Sequence, residues 1–211
     1  MNMHLPIGIS VDCTILGYED GKMKVLLIKR DKFPEPEKWS LPGAYISEIE
    51  TIENSAKRVL NELTGIQNIF LTQVGIFDEP NRYPDHRVIS VLYCALIKPE
   101  QFELIAGSHA KQVSWHNLDE IKTLPFDHNK MIEHSLNWLK EEIWRKPILN
   151  SLLPDKFPLN QMKDLYQLIL QAEIDNRNFR KKVISQELVE RLDEKTKGGQ
   201  QRPAFLYKFK E

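Results

Sequence analysis

Apolar positions along this chain switch between a period of two and a period of 3.6, and the switches mark its elements. Runs from Ile7 to Leu16, Lys24 to Arg30, Ile69 to Ile76, Arg87 to Ile97 and Gln112 to Trp115 are rich in β-branched and aromatic residues and predict strands. Asp20-Gly21 predicts a hairpin turn between the first two. Ile52, Ala56, Val59, Leu60 and Leu63 recur at helical spacing and predict an amphipathic helix on a sheet. Thr51 is placed to cap its start, Glu53 sits in its first turn, and Gly65 suits a left-handed close. A second helix is predicted from Lys130 to Lys146, with Met131, His134, Leu136, Trp138 and Ile143 toward its buried side. Pro80-Asn81-Arg82-Tyr83-Pro84-Asp85 predicts a loop at the mouth of any site formed near the first helix.

The pattern changes after Leu152-Leu153-Pro154-Asp155, which marks a boundary between a first domain over residues 1–150 and a second over 151–211. Leu159 to Gln171 is helical by period, with Met162, Leu165, Tyr166, Ile169 and Leu170 apolar. Asp175 is placed to cap another helix that runs to about Gln186. Leu188 to Lys195, a Lys197-Gly198-Gly199 turn and Pro203 to Phe209 complete the outline of two helices and a two-stranded hairpin. That outline is a winged helix-turn-helix, a module that lays its second helix in the DNA major groove.

Composition narrows the class without choosing a function. The 211 residues hold 41% hydrophobic and 28% charged positions, the balance of an ordinary globular protein. No apolar run is long enough to cross a bilayer and Met1 to Pro6 has no signal-peptide pattern, so a cytoplasmic location and no membrane partner are expected. Cys13 and Cys94 fall in strand-like runs and predict buried thiols rather than a disulfide. The net charge of −1 is uneven, because from Asp155 onward 12 Lys and Arg face 9 Asp and Glu. The six histidines show no metal-ligand spacing.

The first helix carries the frame of a metal-binding loop–helix–loop without most of its ligands. Leu41-Pro42-Gly43-Ala44 leads in, Glu50 sits at the bend, and Arg58-Val59-Leu60-Asn61-Glu62-Leu63-Thr64-Gly65 follows. Positions 59, 62 and 63 share one helical face. Mg²⁺ takes oxygen ligands, and those slots hold Val59, Glu62 and Leu63. The stretch resembles the Nudix box, the signature of hydrolases that cleave nucleoside diphosphates linked to another moiety. Glu50, Arg58, Glu62 and Gly65 match it, Ala44 replaces a glycine, and Val59 and Leu63 replace two metal-binding glutamates. The resemblance covers roughly residues 5–145. It implies a kept scaffold with no catalytic residues expected, Glu50, Arg58 and Glu62 being what remains of the box. Glu48, Glu50 and Glu53 offer substitute oxygens, so metal-dependent hydrolysis of ADP-ribose or a related diphosphate stays open as the alternative. No metal and no cofactor is expected, Mg²⁺ being required only in that alternative.

The predicted second helix of the C-terminal domain reads Arg177-Asn178-Phe179-Arg180-Lys181-Lys182-Val183. Phe179 and Val183 form an i,i+4 anchor, while Arg177, Arg180 and Lys181 project together elsewhere. Arg suits guanine and phosphate, and Asn suits adenine. Arg177, Asn178, Arg180, Lys181 and Lys182 are therefore candidate DNA contacts, joined at the hairpin tip by Lys195, Lys197 and Arg202. A solvated helix in a protein-interaction module is the competing reading. This segment, with the ending Arg202-Pro203-Ala204-Phe205-Leu206-Tyr207-Lys208-Phe209, resembles the winged-helix domain of Nudix-related transcriptional regulators of the NrtR type.

The combined resemblance implies an α+β chain: a Nudix-like α/β/α sandwich with a mixed sheet, followed by a C-terminal winged helix-turn-helix. It implies a ligand-responsive bacterial regulator that acts as a homodimer on a double-stranded DNA operator. Some members sense ADP-ribose, and a branch senses sugars such as arabinose; this sequence resembles the sugar-responsive branch more closely. The effector is then a sugar or an ADP-ribose-like nucleotide sugar. Its candidate contacts are the cationic and aromatic residues near the expected cleft: Arg30, Lys38, Trp39, Tyr45, Asp78, Arg82, Tyr83 and Arg87.

Overall fold

The computed structural model describes residues 7–107, 109–196 and 203–210, and these divide into two compact units between Ser135 and Leu136. The first is built on a mixed sheet. Its strands are β1 (Gly8–Glu19), β2 (Lys22–Arg30), β3 (Trp39–Ser40), β4 (Gly43–Tyr45), β5 (Thr72–Phe77), β6 (Val88–Ile97) and β7 (Ala110–Asn117). The order is β3-β2-β1-β6-β5, with β4 paired to β1 and β7 to β2. Strand β1 runs parallel to β6 from Gly8 to Gly17, and its other edge meets β4 at Ser10–Asp12 and β2 at Leu16–Glu19. The β1–β2 hairpin turns at Asp20-Gly21, both with positive φ, as the sequence predicts.

Alternation along β1 sorts its side chains onto two covered faces. Val11, Cys13 and Ile15 pack against Ala56, Val59, Leu60 and Leu63 of α1 (Ile52–Thr64) in one buried apolar cluster. Ser10, Asp12 and Thr14 point to the other face, where His128 opens α2 (His128–Glu142). Strands covered on both faces read as near-continuous apolar runs. Strand β1 instead carries Ser10, Asp12 and Thr14 on its second face, and all three are buried.

Helix α1 starts and stops as its sequence dictates. The Thr51 hydroxyl accepts from the Asn54 N–H at 3.2 Å, and Gly65 takes φ 77° while its N–H donates to the Asn61 carbonyl at 2.8 Å. Helix α2 differs from expectation. Its buried positions are His128, Met131, Ile132, Ser135 and Leu139, whereas His134 is exposed and bonds the Val74 carbonyl at 2.8 Å. The two cysteines are free and buried, and burial pushes both thiols up, Cys94 to about 12.

The second unit carries a three-stranded sheet of β8 (Phe157–Pro158), β9 (Val189–Lys195) and β10 (Phe205–Phe209) in the order β8-β10-β9. Helices α3 (Leu159–Leu170) and α4 (Asn176–Ser185) precede the β9–β10 hairpin, so the order is that of a winged helix-turn-helix. Gln171 ends α3 in the left-handed region, and the Asp175 carboxylate caps α4 by accepting from the Asn178 N–H at 2.8 Å. Tyr166, Phe179 and Trp144 pack edge to face with centroids 4.6–6.1 Å apart, and the Tyr166 hydroxyl donates to the Ile143 carbonyl. No described helix is long and apolar enough to cross a membrane.

Candidate functional site

On the face of β1 away from α1, a cavity of about 90 Å³ is lined by Ser10, Asp12, Arg30, Gly43, Ala44, Tyr45, Arg82, Tyr83, Val88, Phe126 and His128. Its floor is a buried charged cluster. Arg82, with its side chain 4% exposed, donates from Nε to Asp127 Oδ2 at 2.8 Å and from Nη2 to Oδ1 at 2.7 Å. Its Nη2 also lies 3.8 Å from Asp12 Oδ2, the oxygen that accepts the Ser90 hydroxyl. His128 Nε2 lies 3.6 Å from Asp12 Oδ1. His128 Nδ1 accepts the Leu41 N–H at 3.0 Å, so in the neutral ring Nε2 carries the proton and faces Asp12. Burial holds the His128 imidazole below its ordinary range, with Asp12 and Asp127 pulling the other way.

Gly43 is required by this arrangement. It pairs with Asp12 across the β1–β4 ladder, and a Cβ built there would lie 2.0 Å from Asp12 Oδ1. The walls are aromatic. Tyr83 stacks on Phe126 at 5.2 Å, the Arg30 guanidinium lies 5.2 Å from the Phe126 centroid, and the Tyr45 hydroxyl bonds His86 Nε2 at 3.0 Å. Burial, aided by Tyr83, pushes the Tyr45 phenol up to about 12.

Of the eight effector residues predicted from the sequence, the fold brings Arg30, Tyr45, Arg82 and Tyr83 to this cavity. The other four lie outside its lining, each engaged locally. Lys38 pairs with Glu35 at 2.8 Å, Trp39 packs edge-on against His116 at 4.4 Å, and Arg87 donates to the Asp78 carbonyl at 3.2 Å. The lining residues that pattern reading missed are Ser10, Asp12, Gly43, Ala44, Val88 and Phe126, together with the ring of His128, read from sequence only as a helix start.

The residual box does not fit a Mg²⁺ site. Val59 and Leu63 are 0% and 4% exposed within the apolar cluster, where no ligand oxygen at those positions would meet solvent. Glu50 accepts from Arg58 Nε at 2.9 and 3.0 Å and from the Ser55 hydroxyl at 2.7 Å, which hold its carboxyl below the usual range. Glu62 accepts from Arg58 Nη1 at 3.0 Å. One arginine thus occupies both remaining carboxylates, and among the described residues no three His, Cys, Asp or Glu side chains are grouped to hold a metal.

The second candidate is the outer surface of α4. Phe179 and Val183 are buried, as the i,i+4 anchor requires, and Arg177, Asn178, Arg180, Lys181 and Lys182 are exposed. Around the hairpin, Lys156 pairs with Glu194, Lys208 with Glu190 and Lys210 with Glu187, while Arg191 and Lys195 lie over the Phe205 ring. Among the described residues Arg177, Arg180 and Lys181 have no ion-pair partner, so positive charge concentrates on α4. Lys182 departs from the predicted set: its ammonium lies 3.5 Å from the Trp144 ring centroid, because one further residue turns it away from Lys181. Lys195 sits over the Phe205 ring at 4.6 Å, and Lys197 and Arg202 lie outside the described residues.

Comparison with known proteins joins the two surfaces. Residues 8–138 match the NUDIX domain family, and residues 150–209 match the NrtR DNA-binding winged helix domain. The chain is 30% identical over 206 residues to the ADPR responsive transcriptional repressor NtrR of Acinetobacter baylyi, covering 95% of this chain and 81% of that protein. Shewanella oneidensis NrtR complexed with a 27mer DNA matches at 25% identity and a TM-score of 0.78, covering 96% of this chain and 93% of that one. The NUDIX domain of the same protein complexed with ADP ribose matches at 28% identity and a TM-score of 0.60, covering 64% and 90%. A NUDIX domain with its metal positions in the core, followed by a winged helix with an unneutralised cationic face, places the chain plainly: it belongs to the NrtR-type family of Nudix-related transcriptional regulators.

Proposed function

We propose that this chain is a DNA-binding repressor, acting as a homodimer, whose NUDIX domain binds a ribose-type ring without cleaving the ligand that carries it. The observation behind the reading is the division of labour across β1: on one face the former ligand positions serve the core, and on the other Asp12 faces a polar cavity. A carboxylate accepts hydroxyl protons, guanidinium groups donate, and aromatic faces cover the apolar side of a sugar ring. A volume of about 90 Å³ suits a ring-sized group, so a larger ligand would extend beyond the cavity. ADP-ribose carries such a ring, and the relatives named for that ligand or holding it support it as the effector. A free pentose, favoured by the sequence resemblance, presents the same hydroxyls.

DNA binding follows from α4. A homodimer reads two half-sites only when its recognition helices have the matching separation. An effector shifts that equilibrium only through unequal affinity for the DNA-competent and DNA-incompetent states. The test has two readouts on the full chain. Anisotropy with the duplex upstream of its own gene should show a specific complex at moderate salt, dissolved by ADP-ribose or by a pentose. Incubation with ADP-ribose and Mg²⁺ should leave the ligand intact. AMP release abolished by Glu62→Gln would replace this reading with the hydrolase.

A further inference from the structure

We infer that the groove between α3, α4 and β10 is a seat for one backbone phosphate of bound DNA, built by Lys163, Asn160 and Arg180. The groove holds about 510 Å³, and its polar lining is Asn160, Lys163, Asn176, Arg177 and Arg180, with no acid among the described lining residues. Phe179, Phe205 and Tyr207 line its apolar side. Lys163 and Arg180 have no ion-pair partner among the described residues, so two cations from different helices converge on one concave surface. Unneutralised cations and amides without a carboxylate form an anion site.

The orientation of α4 separates this seat from the surface that faces bases. Phe179 and Val183 point into the unit, and successive side chains turn by about 100° around the axis. Arg180 therefore falls on the side toward the groove. Lys181 points opposite the buried stripe, and Lys182 turns to Trp144 on the far side. Lys163 comes from α3, which the sequence reading left out of the DNA contacts altogether. A group that reaches DNA from the first helix of the pair touches the backbone, fixing register without reading sequence.

This inference rests on the DNA-binding reading, and the test separates the two. Affinity of the full chain for two unrelated mixed-sequence duplexes of about 30 base pairs is measured from about 50 to 500 mM salt. Lys163→Gln should make the slope of log affinity against log salt shallower by about 0.9, so that the wild-type advantage shrinks about eightfold across that range. The ratio of affinities for the two duplexes should stay fixed, Lys163→Arg should restore the slope, and Arg180→Gln should repeat the effect. An unchanged slope in both glutamine variants, or a change in the duplex ratio, overturns the phosphate seat while leaving DNA binding standing. Wild-type protein that binds neither duplex overturns the DNA-binding reading itself, and the seat with it.

Discussion

Val59→Glu restores one of the two missing box glutamates, and the fold predicts that it acts as a core lesion. Val59 is fully buried and packs with Val11, Cys13, Ile15 and Leu63. A carboxyl there loses its hydration, which raises the pKa of a fully buried acid by up to ~3–5 units. At 1.36 kcal/mol per unit this costs about 4–7 kcal/mol when the pH is above the raised value, with about 1.5 kcal/mol more for the lost valine. Domains have only about 5–15 kcal/mol in total. Since the folded acid holds its proton more tightly than the unfolded one, the penalty is absent below about pH 4 and grows as pH rises. Urea unfolding at pH 5 and pH 8 should show the gap from wild type widening by about 4 kcal/mol at the higher pH. A variant within about 0.5 kcal/mol of wild type at pH 8 would refute the reasoning, as would one stabilised by millimolar Mg²⁺. Either result would mean that position 59 still faces a ligand groove.

Gly43→Ala should weaken effector binding by about 10- to 100-fold in calorimetry and leave DNA affinity unchanged, because its Cβ displaces the Asp12 carboxylate from hydrogen-bonding position. Arg82→Met leaves Asp12 and Asp127 buried without their cation and should cost about 3–5 kcal/mol in urea unfolding at pH 7. His128 is held neutral by burial, so below the ordinary imidazole range the unfolded chain takes up a proton that the folded chain resists. Wild-type stability should therefore fall between pH 7 and pH 5, and His128→Gln should flatten that slope.

Much of this architecture is legible in the sequence where local physics decides. Thr51 and Gly65 bound α1 as capping rules require, Asp175 caps α4, and Phe179 with Val183 set the buried side of that helix. What escaped depends on partners distant in sequence. Strands β3 and β4 are two and three residues long, too short for a period, and exist because β2 and β1 offer edges to them. The buried side of α2 passes through Ser135, a polar residue that no hydrophobic pattern selects. Asp12 left little signal: from Ile9 to Ile15 apolar residues alternate with Ser10, Asp12 and Thr14, a pattern that predicts a solvated polar face. Only the fold shows that face to be buried, where an acid needs partners. Those partners, Ser90, Arg82 and His128, come from three other segments, so only the fold shows that they form the floor of a cavity. Trp39 and Lys182 have the right chemistry for their predicted roles, but each is engaged by a nearby ring, His116 and Trp144.

The central claim is that a hydrolase frame has become a sensor whose output is DNA binding. Its most direct measurement is the dissociation constant for the chain's own upstream duplex, by anisotropy without Mg²⁺, in the absence and presence of saturating ADP-ribose or pentose. A shift of at least about tenfold, equivalent to roughly 1.4 kcal/mol of coupling, is the predicted result, and Asp12→Asn should reduce it. A dissociation constant indifferent to both ligands, in protein that calorimetry shows to bind one of them, would contradict the account.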